Sequence, residues 1–254
     1  MSQKKGHPLF FFQQTGYIFA KTGLIEKGNL KKAERFQRFL EYFSGNMPAA
    51  GTELTYRTPY ELIVAVILSA QCTDKRVNMI TPGFFRQFPT VDKLAQARQE
   101  DVYELVKSCS YPNNKTKHLI GMAEMVVSEY RGQIPEDVND LQRLPGVGRK
   151  TAHVVASVVF RQPKLAVDTH VFRVSARIGL TTGTKTPLQC ERQLVKHIPE
   201  EKIMLAHHWL ILHGRYVCQA RKPKCEVCGI TGFCRYYEKE RVGNKIKPPP
   251  PDCW

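Results

Sequence analysis

An all-α fold is predicted by three features of this 254-residue sequence. Apolar residues recur at helical spacing along most of the chain, and helix start signals precede several of those runs. No segment alternates apolar and polar residues as a half-buried strand does, and no repeat of solenoid period is present.

Residues 1–30 read as an N-terminal extension. Lys4 and Lys5 precede "PLFFF", but "QQTG" interrupts before a secretory h-region can form. The first helix falls in "NLKKAERFQRFLEYFSGN", with Leu30, Ala33, Phe36, Phe39, Leu40 and Phe43 on one face and Gly45 to stop it. "TPYELIVAVILSAQ" opens with the capping box Thr58/Glu61 and with Pro59 at the first helical position. Its middle, Leu62 to Leu68, is apolar all round, so this helix belongs at the centre of a core. Shorter helices are expected over Asp74–Gln87, Val91–Ala97 and Asp101–Cys109, and a longer one from Lys115 to Tyr130, ending near Gly132. Val138, Leu141 and Leu144 mark a helix in "PEDVNDLQRL", and a second helical block follows Asp168, including Val171 to Ile178 and "HHWLILHGRY". The tail "KIKPPPPDCW" reads as an extended segment outside the fold.

Charge and cysteine content narrow the function. Lys+Arg number 38 against 23 Asp+Glu, a net charge of +15, which suggests a polyanionic partner, most simply nucleic acid; an inert basic surface is the bland alternative. No apolar stretch reaches the roughly 18 residues that span a bilayer. Of eight cysteines, Cys72, Cys109 and Cys190 read as scattered through helices and Cys253 lies in the tail. The other four form C-x6-C-x2-C-x5-C: Cys218, Cys225, Cys228 and Cys234. Without a signal peptide such crowding favours a metal over disulfides. One short spacing flanked by longer ones suits an iron–sulfur cluster, but spacing alone leaves a zinc ion open. Between the first two cysteines, "QARKPK" carries Arg221, Lys222 and Lys224, either a phosphate-contacting loop or solvated charge beside the thiolates.

"LPGVGRKTAHVV" is not a Walker A loop: Arg149, not glycine, precedes Lys150, and a helix rather than a strand leads into it. The segment reads helix, glycine turn, helix. Gly146 and Gly148 let backbone N–H groups approach an anion, and the following helix N-terminus favours a phosphate there; glycines that merely join two helices are the plainer account. Lys150 falls in the first turn of the second helix. The dipole and Arg149 would lower its pKa if the amine is partly buried, as a covalent nucleophile requires. On that helix Lys150 shares a face with His153, Val154 and Ser157, while Ala152, Val155, Ala156 and Val159 suit a core. Asp168, in "AVDTHVFRV", is an N-cap or a carboxylate facing Lys150.

Together these stretches resemble the helix-hairpin-helix DNA glycosylase/AP lyase family of endonuclease III, over about residues 31–240. The resemblance implies a six-helix barrel over 52–162 that contains the hairpin. It also implies a discontinuous iron–sulfur cluster domain, 31–51 with 163–240, a DNA-binding cleft between the two, and a Pro-rich tail at 241–254. It assigns a [4Fe-4S] cluster to Cys218, Cys225, Cys228 and Cys234, and phosphate or base contacts to Gly146, Gly148, Arg149, Arg221 and Lys222. Gln71 fills the gap left by a flipped nucleotide. Lys150 attacks the sugar of an oxidised pyrimidine in damaged double-stranded DNA, aided by Asp168, and β-elimination cuts the strand. The implied protein is a monomer, cytoplasmic and nucleoid-associated in a bacterium, with no membrane partner. Adenine-mismatch relatives lack the lysine and carry an extra domain. A non-catalytic DNA-binding module that kept the hairpin is the alternative reading. His153 stands where relatives usually have asparagine, and "CSYPNNKTK" puts Tyr111 and Pro112 where a DNA-inserting wedge would stand.

Overall fold

The computed structural model describes residues 30–242, and every regular element among them is helical. The N-terminal extension, up to residue 29, and the proline-rich tail from residue 243 lie outside the described residues.

Helix α1 (Lys32–Asn46) buries Phe36, Phe39 and Phe43. Gly45 does not stop it, contrary to the sequence expectation. The helix ends at the cap residue Met47, which leaves helical geometry (φ −139°) directly before Pro48, and whose carbonyl also accepts the Trp209 indole N–H at 2.7 Å. Helix α2 (Pro59–Ser69) begins as its sequence dictates: the Thr58 hydroxyl accepts the Glu61 N–H at 3.1 Å. The Glu61 carboxylate reaches past the cap residue to the Arg57 N–H, at 2.6 Å. Leu62 to Leu68 are all buried.

Helix α3 (Asp74–Gln87) runs through Pro82, and α4 (Val91–Ala95) and α5 (Gln99–Val106) complete a short meander. Helix α6 (Pro112–Tyr130) starts three residues before the expected Lys115 because Pro112 occupies the first helical position, where no N–H is needed. Helices α7 (Val138–Arg143) and α8 (Arg149–Val158) form the hairpin, followed by α9 (Thr169–Ile178). Helix α10 (Pro187–Val195) is not separately anticipated. Its signal repeats that of α2, a capping threonine (Thr186) before a proline at the first position. Helix α11 (Ile203–Tyr216) and α12 (Arg235–Val242) flank the cysteine loop, which holds two single 3₁₀ turns, Cys225–Val227 and Thr231–Phe233.

Two apolar cores result. In one, α2 is surrounded by Phe84, Leu94, Val102, Leu119, Met122, Leu141 and Val155. The other joins α1 to the C-terminal helices: Phe39 and Phe43 pack on Trp209, with ring centroids 5.8 and 5.9 Å apart, beside Val174, Ile178, Leu194 and Phe233. Each such aromatic burial contributes roughly 1.5–3 kcal/mol. Polar contacts tie one core to the other: Arg215 on α11 bonds Asp74 at 2.6 Å and also Glu53, and Arg149 on α8 bonds Glu191 on α10 at 2.8 Å.

Candidate active site and cysteine-lined cavity

The hairpin turn is held from behind by α6. Gly146 has φ of +78°, and a Cβ there would come within 2.8 Å of the His118 Cβ, so backbone conformation and packing both demand glycine. Gly148 differs. Its φ is −80° and nothing lies within 4 Å of where a Cβ would be, so the chain's own packing does not require a glycine there. It is the N-cap of α8 and offers no side-chain acceptor, leaving the first-turn N–H groups open to an outside anion.

Lys150, in that first turn, is exposed. The helix face expected to line a cleft is only partly open: His153 and Ser157 are buried, while Val154 is half-buried. His153 Nδ1 lies 3.8 Å from Glu191 Oε1 and has no hydrogen-bond partner. Burial is the main force that holds its pKa below the ordinary histidine value. Arg149 is half-exposed and engaged with the same Glu191 carboxylate, at 2.8 and 3.3 Å.

Asp168 caps α9, accepting the Val171 N–H at 2.8 Å through Oδ1. Oδ2 is 2.9 Å from His170 Nδ1. Burial by itself would raise the Asp168 pKa. The Val171 N–H, His170 and the charge of Lys150 outweigh it, and the carboxyl sits below its usual range. Lys150 is thus within electrostatic reach of Asp168, the pairing that neither sequence motif could show alone. Beneath them lies His207, fully buried, its Nδ1 2.9 Å from the Ala166 carbonyl; burial pushes it down to about 4, so it is neutral.

Gln71 and Tyr111 occupy the turns at the end of α2 and the start of α6. Both are exposed and both have positive φ, +52° and +54°, which for non-glycine residues is a cost usually met at functional sites. The Ser110 hydroxyl donates to the Gln71 carbonyl at 2.7 Å and joins the two turns. Lys115 reinforces the junction by donating to the carbonyls of Leu68 and Ala70 at 2.7 and 2.8 Å.

Cys218, Cys225, Cys228 and Cys234 line one cavity, with Ile178, His213 and Tyr237 among its other walls. Burial foremost, then mutual repulsion of the sulfurs, pushes Cys225 up to about 11; burial raises Cys228 to about 12. Four thiolates so placed need a strongly cationic group among them. No three His, Cys, Asp or Glu side chains among the described residues converge tightly enough for one bare metal ion. Four cysteine sulfurs lining one cavity are the donor set by which thiolates hold a [4Fe-4S] cluster. Arg177 braces the loop: it donates to the carbonyls of Gln219 and Ala220 at 2.7 and 2.8 Å, lies 3.5 Å from Cys218 Sγ, and stacks 4.8 Å over Tyr236. Gly229 is required here, since a Cβ would strike the Tyr42 hydroxyl. Arg221, Lys222 and Lys224 are exposed and belong to no ion pair among the described residues.

Comparison with known proteins agrees with this geometry. Residues 64–200 match the HhH-GPD superfamily of base excision DNA repair proteins, and residues 218–234 match the iron–sulfur binding domain of endonuclease III. Endonuclease III of Rickettsia felis is 44% identical over 206 residues, 81% of this chain and 96% of the relative. That of Escherichia coli is 41% identical over 210 residues, 83% of this chain and 99% of the relative. A solved non-covalent endonuclease III–DNA complex superposes with a TM-score of 0.79 at 38% identity, covering 84% of this chain and 99% of that one. A trapped endonuclease III–DNA covalent intermediate superposes with a TM-score of 0.78 at 39% identity. The chain belongs to the endonuclease III family of helix-hairpin-helix base excision DNA repair enzymes. It is a DNA glycosylase/AP lyase, and its cofactor is a [4Fe-4S] cluster.

Proposed function

We propose that this enzyme removes oxidised pyrimidines from duplex DNA through a covalent Lys150 intermediate and then cuts the strand. The observation that carries the reading is Lys150 in the first turn of α8, whose charge acts on the half-buried, ionised Asp168 at the start of α9. The damaged nucleotide is flipped out of the stack, and Gln71 and Tyr111 enter the space it leaves. The Gly146–Gly148 turn and the open N–H groups of α8 hold a backbone phosphate beside the lesion. The Lys150 amine bonds to sugar C1′ as the base departs with its electron pair. Asp168 balances the cationic sugar and takes up the proton that the lysine sheds. The nitrogen lone pair then opens the sugar ring, breaking C1′–O4′ as O4′ takes up a proton, and gives the Schiff base; this makes the C2′ proton acidic, its loss expels the 3′ phosphate, and water then frees the lysine.

Cys218, Cys225, Cys228 and Cys234 would hold the cluster, whose iron ions supply the positive charge that the buried thiolates need. In the same reading Arg221, Lys222 and Arg149 meet phosphates. The two cores support division into a barrel, 52–162, and a cluster domain built from 31–51 and 163–240, with the DNA cleft between them. We further assign the enzyme to the bacterial cytoplasm, acting as a monomer on the nucleoid; no helix of the described residues is long and apolar enough to cross a membrane.

Borohydride reduction in the presence of thymine-glycol duplex should yield a stable protein–DNA adduct that Lys150→Ala does not form. An adduct of undiminished yield in Lys150→Ala would assign the nucleophile elsewhere. Salt-sensitive binding without nicking of any lesion would overturn the catalytic reading altogether.

A further inference from the structure

The fold brings together two cysteines that the sequence leaves far apart. Cys72, in the turn after α2, and Cys109, in the turn before α6, are 37 positions distant, yet their Sγ atoms lie 3.8 Å apart. Both thiols are free. Each adjoins one of the two residues held at positive φ near the proposed DNA face: Cys72 follows Gln71, and Cys109 is two positions before Tyr111. Cys72 is half-buried and Cys109 only 5% exposed, so an incoming reagent meets Cys72 first and Cys109 waits behind it. Burial and then the neighbouring sulfur push Cys109 up to about 11, while the charges of Lys115 and Arg76 act in the other direction; the part due to Cys72 disappears once that sulfur is bonded to another. The pair is remote in sequence from the four cysteines of the cluster cavity and does not line it.

We propose that Cys72 and Cys109 form a redox-modifiable pair that closes to a disulfide by exchange with a small disulfide, and that closure shifts the Gln71 turn against the Tyr111 turn. In the first step the Cys72 thiolate attacks one sulfur of the small disulfide, forming a mixed disulfide and releasing one thiolate. Cys109 then gives up its proton and attacks Cys72 Sγ, expelling the second small thiol. Two protein thiols are oxidised and one small disulfide is reduced to two thiols. Closing the gap from 3.8 Å to the S–S bond length of about 2.05 Å draws the two turns together. Those turns are already fixed to each other by Ser110 and the Gln71 carbonyl, so the shift falls on the backbone that presents Gln71 and Tyr111. An intracellular disulfide of this kind is a reversible switch rather than a structural staple. Its effect on DNA rests on the placement of Gln71 and Tyr111 proposed above; its formation does not.

The test uses the full-length, cluster-loaded protein, reduced and then exposed to oxidised glutathione, with free thiols blocked before digestion and mass analysis. The expected product is a peptide pair joined through Cys72 and Cys109, lost again on treatment with dithiothreitol, with the visible absorption of the cluster unchanged. In Cys109→Ser, Cys72 should accumulate one glutathionyl adduct and no crosslink. Lesion nicking by the oxidised wild type should fall on the order of tenfold and recover on reduction, while Cys72→Ser treated identically keeps its rate. A Cys72 adduct that never resolves in the wild type, or a crosslink that leaves nicking unchanged, would overturn the proposal. Failure of the fully reduced protein to nick any lesion would instead count against the glycosylase reading and leave the crosslink data standing.

Discussion

At the scale of single residues, the roles proposed for Lys150 and Asp168 are argued from their surroundings. The lysine is exposed and free to reach a sugar, whereas the carboxylate is fixed by two bonds and kept ionised against burial. Replacing Asp168 by Asn retains an oxygen for the Val171 N–H, so the cap on α9 survives and only the charge is lost. We expect Asp168→Asn to fold with a thermal midpoint within a few degrees of the wild type and to lose on the order of a hundredfold in base excision. Single-turnover excision beside a melting curve checks both; an Asn variant of full activity would remove Asp168 from the chemistry. The pH dependence follows from the downward shift. Asp168 contributes stability that is present above the unfolded carboxyl pKa and is lost only as pH falls through its lower folded value. Around neutrality, therefore, its charge does not vary. His207 and His208, pushed down by burial to about 4 and about 3, behave in the opposite chemical sense but with the same slope. Their neutral forms suit the folded state, so stability is full above about pH 6.5 and declines below it by up to about 1.4 kcal/mol per pH unit for each.

At the scale of elements, the hairpin separates two reasons for being glycine. Gly146→Ala places a Cβ against His118 at positive φ and should cost about 1–3 kcal/mol of stability. Gly148→Ala meets nothing and adopts an ordinary φ, so stability should hold or rise slightly while duplex affinity falls, because the new methyl stands where a phosphate would sit. Denaturant unfolding and duplex titration on both variants make the contrast measurable; equal affinity in Gly148→Ala would show that no phosphate approaches this turn. Most element boundaries were legible in the sequence because they rest on local chemistry, such as Thr58, Pro59 and Glu61 at α2 or Asp168 at α9. Two misses are themselves local: Pro112 starts α6 early, and Pro48 rather than Gly45 stops α1. The others are tertiary. His153 is buried where Glu191 of α10, itself unforeseen, and the segment around Leu165 approach it. Cys72 and Cys109 look scattered because sequence distance says nothing of two turns that share an end of α2 and α6.

At the scale of the whole molecule, the chain closes on itself: α1 is completed by helices more than a hundred residues later, so the second core forms only when both ends meet. Helical spacing alone could not place that join; it came from the family resemblance, whereas the excess of basic residues was plain from composition. A net charge of +15 makes counterion release a large share of duplex affinity, and it applies to damaged and undamaged DNA alike. Part of that charge sits on the exposed loop carrying Arg221 and Lys222, which lies between the first two cysteines and is braced by Arg177. If both side chains meet phosphates, the double variant Arg221→Ala/Lys222→Ala should bind undamaged duplex more weakly at low salt. The slope of log K against log salt should then be shallower by roughly 2, about 0.9 for each contact removed. Excision at saturating protein should be unchanged, because neither residue touches Lys150 or Asp168. An unaltered slope would mean that the loop's charge serves the neighbouring thiolates instead. In that case the same variant should lose its visible absorption faster than the wild type under a metal chelator, so the two roles of one basic loop are separated by two measurements on one protein.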